Sequence, residues 1–203
     1  MYTPGLAAML IFLNRTGFNG LFRLNRQGGF NVPAGRYTNP RICDETHLRS
    51  VAAALASPGV TIALQSFDRT LDEAGAGDFV YCDPPYAPLS RTSSFANYTA
   101  DGFTSFDQRR LQQKVVAACK RGAFVVVSNS SAAEILHVYT TVEAQKAGLQ
   151  VRPVAARRAI NSKAASRGPI NELIISNVPV EALETVKPKM AKAGLNKTKR
   201  KYA

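Results

Sequence analysis

Residues 123–129 read AFVVVSN, a run of almost unbroken valine that starts directly after Gly122 and ends on small polar residues. A strand that is apolar on both faces has no side to give to water, so it belongs inside a sheet covered on both sides. A second apolar run, DFVYC at 78–82, reads as another strand, and DQRRLQQKVVAACKR between the two has helical character. Ser105 and Gln108 supply the S-x-x-Q of a capping box at its start, and Gly122 closes it. Strand, helix and strand in this order point to an α/β sheet with helices on both faces.

The rest of the chain fits that frame. PGLAAMLIFLNRT, with Leu6, Met9, Leu10 and Leu13 at helical spacing, predicts a helix that ends before Gly17. NGLFRLNRQGGFNVPAGRY predicts two short extended segments about a Gly28-Gly29 turn, the second stopped by Pro33 and Gly35. Asp44 or Thr46 can cap a helix through HLRSVAAALA, after which Pro58-Gly59 turns the chain into a strand VTIAL. FDRTLDEA reads as helical, a weaker helix covers about 131–147, and LQVRPVA and INELIIS are strands suited to an antiparallel pair. Few apolar positions and many lysines predict a disordered basic tail over 181–203.

At 203 residues and 45% hydrophobic content, the chain is expected to form one globular domain with a small appendage. No run approaches the roughly 18 apolar residues of a membrane span, and no basic-then-apolar leader opens the sequence, so the expectation is a cytoplasmic protein with no membrane partner. Cys43, Cys82 and Cys119 are odd in number and far apart, and only His47 and His137 accompany them, which predicts reduced thiols and no metal site.

The net charge of +12 is unevenly placed. Met1 to Cys43 carry five arginines and no acid, the stretch between Glu143 and Glu172 carries six cations and no acid, and seven more follow Glu184. Residues 44–143 hold eight cations against eleven acids, a net of −3. Positive flanks around a neutral-to-acidic centre suit a polyanion gripped at the edges while chemistry proceeds in the middle.

That middle holds DPPY at 83–86, at the carboxyl end of the strand DFVYC, where sheets of this kind bind their ligands. Asp83 brings an acceptor. Pro84 and Pro85 lack N–H groups and stiffen the backbone, so the carbonyls of Asp83 and Pro84 face outward without internal partners. Tyr86 adds a flat face. Two acceptors and an aromatic plane suit an amino group on a planar ring: both N–H bonds are engaged, the nitrogen lone pair is drawn out of conjugation, and it can attack an electrophile.

FVYCDPPYAPLS resembles the catalytic motif of the amino-group DNA methyltransferases, and the chain is similar to the Dam-like, D12-class adenine-N6 branch in particular. LNRTGFNGLFRLNRQGGFNVPAGRY resembles that branch's target-recognition hairpin, and RRAINSKAASRGPINELIISN its late DNA-contacting loop and final strands. The resemblance runs from about residue 6 to 177. It implies a partial Rossmann-like class I methyltransferase sheet plus a recognition hairpin, with 1–42 as target-recognition segment and 43–180 as an incomplete catalytic core.

The implied reaction moves a methyl group from S-adenosylmethionine to adenine N6 of double-stranded DNA, on a base flipped out of the duplex. Asp83, Pro84, Pro85 and Tyr86 would form the catalytic clamp; Ser66, Phe67 and Asp83 would touch the cofactor. On the DNA side, Arg23 would read a guanine, Phe18 and Asn19 would wedge into the duplex, and Leu21 and Pro33 would meet a base edge. Arg36, Arg157, Arg158 and Arg167 would hold phosphates. GATC is the target this likeness leads to. The branch's F-x-G-x-G cofactor loop has no counterpart here, since Gly75 and Gly77 precede a strand where a cofactor-cradling loop follows one. Weak or absent transfer by the isolated chain is therefore expected, along with a missing N-terminal portion or a complementary chain. The alternatives are a non-catalytic basic DNA-binding remnant and an amino methyltransferase acting on cytosine N4 or an RNA base.

Overall fold

The structure, a computed structural model, describes residues 3–25, 27–89, 102–157 and 169–179. The expected tail at 181–203 lies outside the described residues, as do Arg158 and Arg167; Arg157 is described only as the backbone end of a strand. Four strands form one sheet: β1 (Phe79–Cys82), β2 (Phe124–Ser130), β3 (Gln150–Arg157) and β4 (Pro169–Ser176), in the order β1-β2-β4-β3. β1 and β2 run parallel, β2 and β3 each pair antiparallel with β4. Six α-helices are described: α1 (Pro4–Thr16), α2 (Glu45–Leu55), α3 (Phe67–Glu73), α4 (Ser105–Lys120), α5 (Ala133–Tyr139) and α6 (Val142–Lys146).

Capping side chains fix where most of the helices begin. Thr3, Asp44, Ser66 and Thr141 each accept a backbone N–H from the first turn of α1, α2, α3 and α6. For α4 the cap is Thr104 and not Ser105, because Thr104 has the extended backbone a cap needs and Asp107 stands three residues on, closing a capping box in both directions. That leaves the Gln108 side chain out of the cap. The helix expected over 131–147 breaks at Thr140 and Thr141, whose hydroxyls bond to Leu136's carbonyl and Ala144's amide instead. At the end of α4, Gly122 has φ +92°, a conformation that favours glycine, and its amide closes on the Cys119 carbonyl.

The register explains the core. Val80, Cys82, Val125, Val127, Leu173 and Ile175 share one face of the sheet and pack against Leu71 of α3, Leu111 and Val115 of α4, Ile135 of α5 and Ala144 of α6. Each fully buried aliphatic side chain here contributes about 1.5–3 kcal/mol. Across the helix pair, Lys114 binds Asp72 and Arg110 lies 3.5 Å from Asp68. Arg121 donates to the carbonyls of Leu71 and Ala74, tying the end of α4 to the end of α3. The opposite face carries Phe79, Tyr81 and Phe124, all exposed, so among the described residues the helices that pack on the sheet cover one side. The α/β sheet is as the sequence leads one to expect, but the helices expected on both of its faces are found on one face only among the described residues, because α3, α4, α5 and α6 all pack on the Val125 and Val127 side.

One expected strand is absent. Val60–Leu64 forms no ladder, and Ile62 and Leu64 are 73% and 99% exposed. β-branched residues make a strand only where a neighbour accepts their backbone bonds, and no described segment pairs with this one. The expected hairpin does form, in a loose version: a short 3₁₀ turn (Phe18–Gly20) precedes it, and single bridges join Gly17 to Ala34 and Leu24 to Phe30. Phe18's amide donates to Pro33's carbonyl and Gly35's to Thr16's, anchoring the hairpin base to the end of α1.

Candidate active site

β1 stops at Cys82 because two of the next three residues, Pro84 and Pro85, have no N–H to give to a ladder. The chain then runs as irregular backbone along the carboxyl end of β2. Parallel pairing of Cys82 with Val127 brings the polar end of β2, Ser128-Asn129-Ser130, beside the loop. Every one of those three side chains bonds to it. Ser128 Oγ donates to Asp83 Oδ1 at 2.7 Å, Ala87 N donates to Asn129 Oδ1 at 3.0 Å, and Ser130 Oγ donates to the Ala87 carbonyl at 2.6 Å. From α4, Gln108 Nε2 donates to the Pro85 carbonyl at 2.9 Å. Among the described residues no hydrogen bond ends on the Pro84 carbonyl or on Asp83 Oδ2. Both acceptors stand without a hydrogen-bond partner among the described residues, in a loop tied to β2 and α4 at Asp83 Oδ1, the Pro85 carbonyl and Ala87.

The electrostatics suit a neutral phenol at Tyr86. Burial pushes the Tyr86 phenol above its ordinary value; a bond to Ser128 pulls the other way, and the negative charges of Glu172 and Asp83 add to the rise. Cys82 behind it is pushed up to about 11 by burial and stays a thiol.

Beside the loop lies a cavity of about 430 Å³, walled by Phe67, Val80, Phe103, Leu111, Pro84 and Asp83 among others. The Phe67 and Phe103 rings meet edge-on at 5.9 Å, and the Arg110 guanidinium lies 4.9 Å over Phe67. Apolar, aromatic walls with a single carboxylate suit the adenosyl part of a nucleoside-bearing ligand. No lysine or arginine lines the cavity, so the described residues offer no partner for an amino-acid carboxylate. A larger recess of about 690 Å³ lies along Thr61–Gln65 and α3, and none of the loop residues 83–86 lines it.

A family profile described as "D12 class N6 adenine-specific DNA methyltransferase" matches residues 2–153. The chain belongs to this family. It is 40% identical over 171 residues to the type II methyltransferase M1.LlaDCHI of Lactococcus lactis subsp. cremoris, covering 84% of this chain and 58% of that protein. It is 42% identical over 172 residues to the type II methyltransferase M.MjaIII of Methanocaldococcus jannaschii, covering 84% and 56%. With the DNA adenine methylase of Escherichia coli K12 the identity is 35% over 168 residues, covering 83% and 57%. The chain thus spans a little over half the length of these relatives.

As a D12-class chain it places the sequence-selected residues in two groups. Asp83, Pro84, Pro85 and Phe67 line the same cavity, while Tyr86, the next residue along the chain, is not part of its lining. Ser66 does not join them: its hydroxyl caps α3, accepting from Asp68 N and donating to Asp68 Oδ2 at 2.6 Å. Phe18, Asn19, Leu21, Arg23, Pro33 and Arg36 are exposed on the hairpin segment, with Asn19 in the left-handed region at φ +55°. Arg23 Nε donates to the Asn31 carbonyl at 2.8 Å, which braces the guanidinium along the hairpin while its terminal nitrogens make no bond among the described residues. Gln108, Ser128, Asn129, Ser130 and Glu172 were not singled out as site residues from sequence. The signal for three of them was present: SNS closes an otherwise apolar strand next to DPPY, and polar residues buried at a strand end need partners.

Proposed function

We propose that this chain is the base-clamping and DNA-reading part of an adenine-N6 methyltransferase acting on double-stranded DNA, with GATC as target. The observation that carries the reading is that the Pro84 carbonyl and Asp83 Oδ2, next to Tyr86 in the sequence, have no hydrogen-bond partner among the described residues, in a loop held at Asp83 Oδ1, the Pro85 carbonyl and Ala87. A flipped adenine would stack on Tyr86, its N6 hydrogens donating to those two acceptors, so that the nitrogen lone pair points away from the ring. S-adenosylmethionine supplies the electrophilic methyl group when bound. Phe67, Phe103 and the proline wall suit its adenosyl part, with Asp83 between the two ligands. Asp83 Oδ2 also offers a place for the N6 proton released as the new bond forms.

The DNA-side roles are those the family resemblance implies, and the exposure of Phe18, Asn19, Leu21, Arg23, Pro33 and Arg36 supports the hairpin part of them. Arg23 would address a guanine edge, Phe18 and Asn19 the gap left by the flipped base, Leu21 and Pro33 a neighbouring base, and Arg36, Arg157, Arg158 and Arg167 the phosphates. Residues 1–42 then read DNA and 43–180 carry the clamp. Because the cavity offers no cation for the methionine carboxylate, full transfer would draw on a further N-terminal portion or a complementary chain.

Labelled S-adenosylmethionine and a GATC duplex test this directly, in the wild type and in Asp83→Ala, with and without the N-terminal portion of a relative added in trans. Label on adenine that vanishes in the variant supports the reading. Label on cytosine, or salt-dependent DNA binding with no transfer under any arm, overturns it in favour of a cytosine enzyme or a non-catalytic binder.

A further inference from the structure

Gln108 and Asn129 are neutral amides in the interior, 2% and 0% exposed, and neither faces the cavity beside the loop. Burying an amide costs free energy unless its donors and acceptors are taken up. Here they are taken up by one another and by the DPPY loop. Asn129 Nδ2 donates to Gln108 Oε1 at 3.1 Å, and this orients the Gln108 amide so that Nε2 donates to the Pro85 carbonyl. Asn129 Oδ1 receives both Ala87 N and Ser130 N, at 3.0 and 2.8 Å.

We propose that Gln108, oriented by Asn129, is a positioning residue of the base clamp: by tying the Pro85 carbonyl to α4 it holds the adjacent Pro84 carbonyl and the Tyr86 ring in place relative to one another. The inference rests on the clamp reading given above. Proline fixes φ, and Pro85 holds ψ of Pro84 in the extended region, so the soft dihedral left in the Pro-Pro step is ψ of Pro85. The bond to Gln108 fixes the direction of the Pro85 carbonyl and with it that dihedral, which sets the Pro84 carbonyl and the Tyr86 ring relative to one another. The Ala87 bonds pin the far side of Tyr86. A base acceptor misplaced by about 1 Å costs on the order of 100-fold in rate, so a group that fixes ψ at this step matters without touching the base.

The test uses a GATC duplex in which the target adenine is replaced by 8-vinyladenine, which keeps the 6-amino group and whose fluorescence rises as it leaves the stack, with DNA affinity followed separately by anisotropy. Gln108→Leu removes the donor to Pro85. It is expected to lower the extrusion constant roughly tenfold or more while DNA affinity changes less than about threefold. Gln108→Glu is the diagnostic variant. At about pH 8 its carboxylate opposes the Pro85 carbonyl and the signal falls as in the leucine variant. Burial raises the pKa of such a carboxyl. Below about pH 6 the protonated form donates O–H to Pro85 and still accepts from Asn129, so the signal recovers relative to wild type at the same pH.

Asp83, Asp107, Arg110 and Glu172 on the surrounding elements are common to both proteins, which makes the wild-type profile the control. Recovery within a single polypeptide separates positioning from misfolding. Extrusion like wild type in both variants, or a glutamate variant that stays low as the pH falls, overturns the proposal. A wild type that extrudes nothing overturns the clamp reading itself, and the inference with it.

Discussion

Replacing Ser128 by alanine removes one buried oxygen and, with it, the 2.7 Å bond that its hydroxyl donates to Asp83 Oδ1. A hydrogen bond to a carboxylate stabilises by about 1.5–3 kcal/mol where solvent is excluded. Asp83 itself is exposed, so water competes for the freed oxygen and a value below that range, about 0.5–1 kcal/mol, applies to the contact. No other described donor holds the Asp83 side chain, so its rotamers are also released. Re-immobilising it around a bound base costs a further 0.5–1 kcal/mol or so. The sum, about 1–2 kcal/mol, corresponds to a fall of roughly 5- to 30-fold in the rate of transfer.

Fold stability should change little, since Tyr81, whose phenol donates to the same hydroxyl at 3.3 Å, is exposed and can turn to water. The assay is single-turnover methylation with protein in excess, at saturating labelled S-adenosylmethionine and a GATC duplex, with the complementing portion present wherever wild-type transfer depends on it. DNA affinity is read in parallel. A rate within twofold of wild type refutes the view that Ser128 holds Asp83 in place. A rate loss matched by an equal loss of DNA affinity places the effect outside the clamp and refutes it equally.

Tyr139 is buried in the core with a hydroxyl that has no partner among the described residues, so Tyr139→Phe should raise stability by about 1 kcal/mol, or about 2–4 °C in Tm; a clear fall in Tm contradicts this. Burial pushes Cys82 and Cys119 up to about 11 from the ordinary 9.0, which makes their thiolates about 100-fold scarcer near neutral pH, whereas Cys43 is exposed. Iodoacetamide should therefore label Cys43 first, and S-adenosylmethionine should slow Cys82, which lines the cavity, without slowing Cys119. The Thr104 bonds hold the Asp107 carboxyl below its ordinary value, so its contribution is present above the unfolded-state pKa near 4 and is lost as pH falls through the folded value. Asp107→Asn should cost about 0.5–1 kcal/mol at neutral pH and flatten the acid limb of a stability-against-pH curve, and an unchanged limb would show that the capping box carries none of it.

Much of this fold is legible because its decisive residues act locally. The valine run of β2, the Asp44 cap, the Gly122 stop and the Pro84-Pro85 break impose their structure through φ, ψ and nearest neighbours, and each sits where the pattern indicates. What the pattern misses depends on partners far along the chain. VTIAL has the composition of a strand and no ladder to join. Ser105 and Thr104 are both competent caps, and backbone geometry with Asp107 at the third helical position decides between them. Ser66 falls at a position suited to cofactor contact yet spends its hydroxyl on Asp68. The same limit applies to the site: DPPY is visible as four letters, while the side chains that hold it come from residues 108 and 128–130, brought alongside by the parallel register of β1 and β2.

That register has a consequence for how stability and site geometry are linked. Val125 and Val127 anchor β2 in the core, and the next three residues of the same strand carry every side-chain bond from the sheet to the loop. Gln108 belongs to α4, whose Leu111 and Val115 pack into that core one and two turns on. The clamp is therefore suspended between two elements that meet through buried apolar contacts and the Asn129–Gln108 hydrogen bond, and a rigid pair of supports is what a site needs when misplacement by an ångström is costly. Prolines 84 and 85 make this arrangement necessary as well as possible. A loop that cannot donate its own N–H groups to a ladder can be held only by side chains reaching in, and amides and hydroxyls do this without placing a second charge beside Asp83. The choice of Ser, Asn, Ser and Gln around a lone carboxylate thus follows from the same two prolines that end the strand.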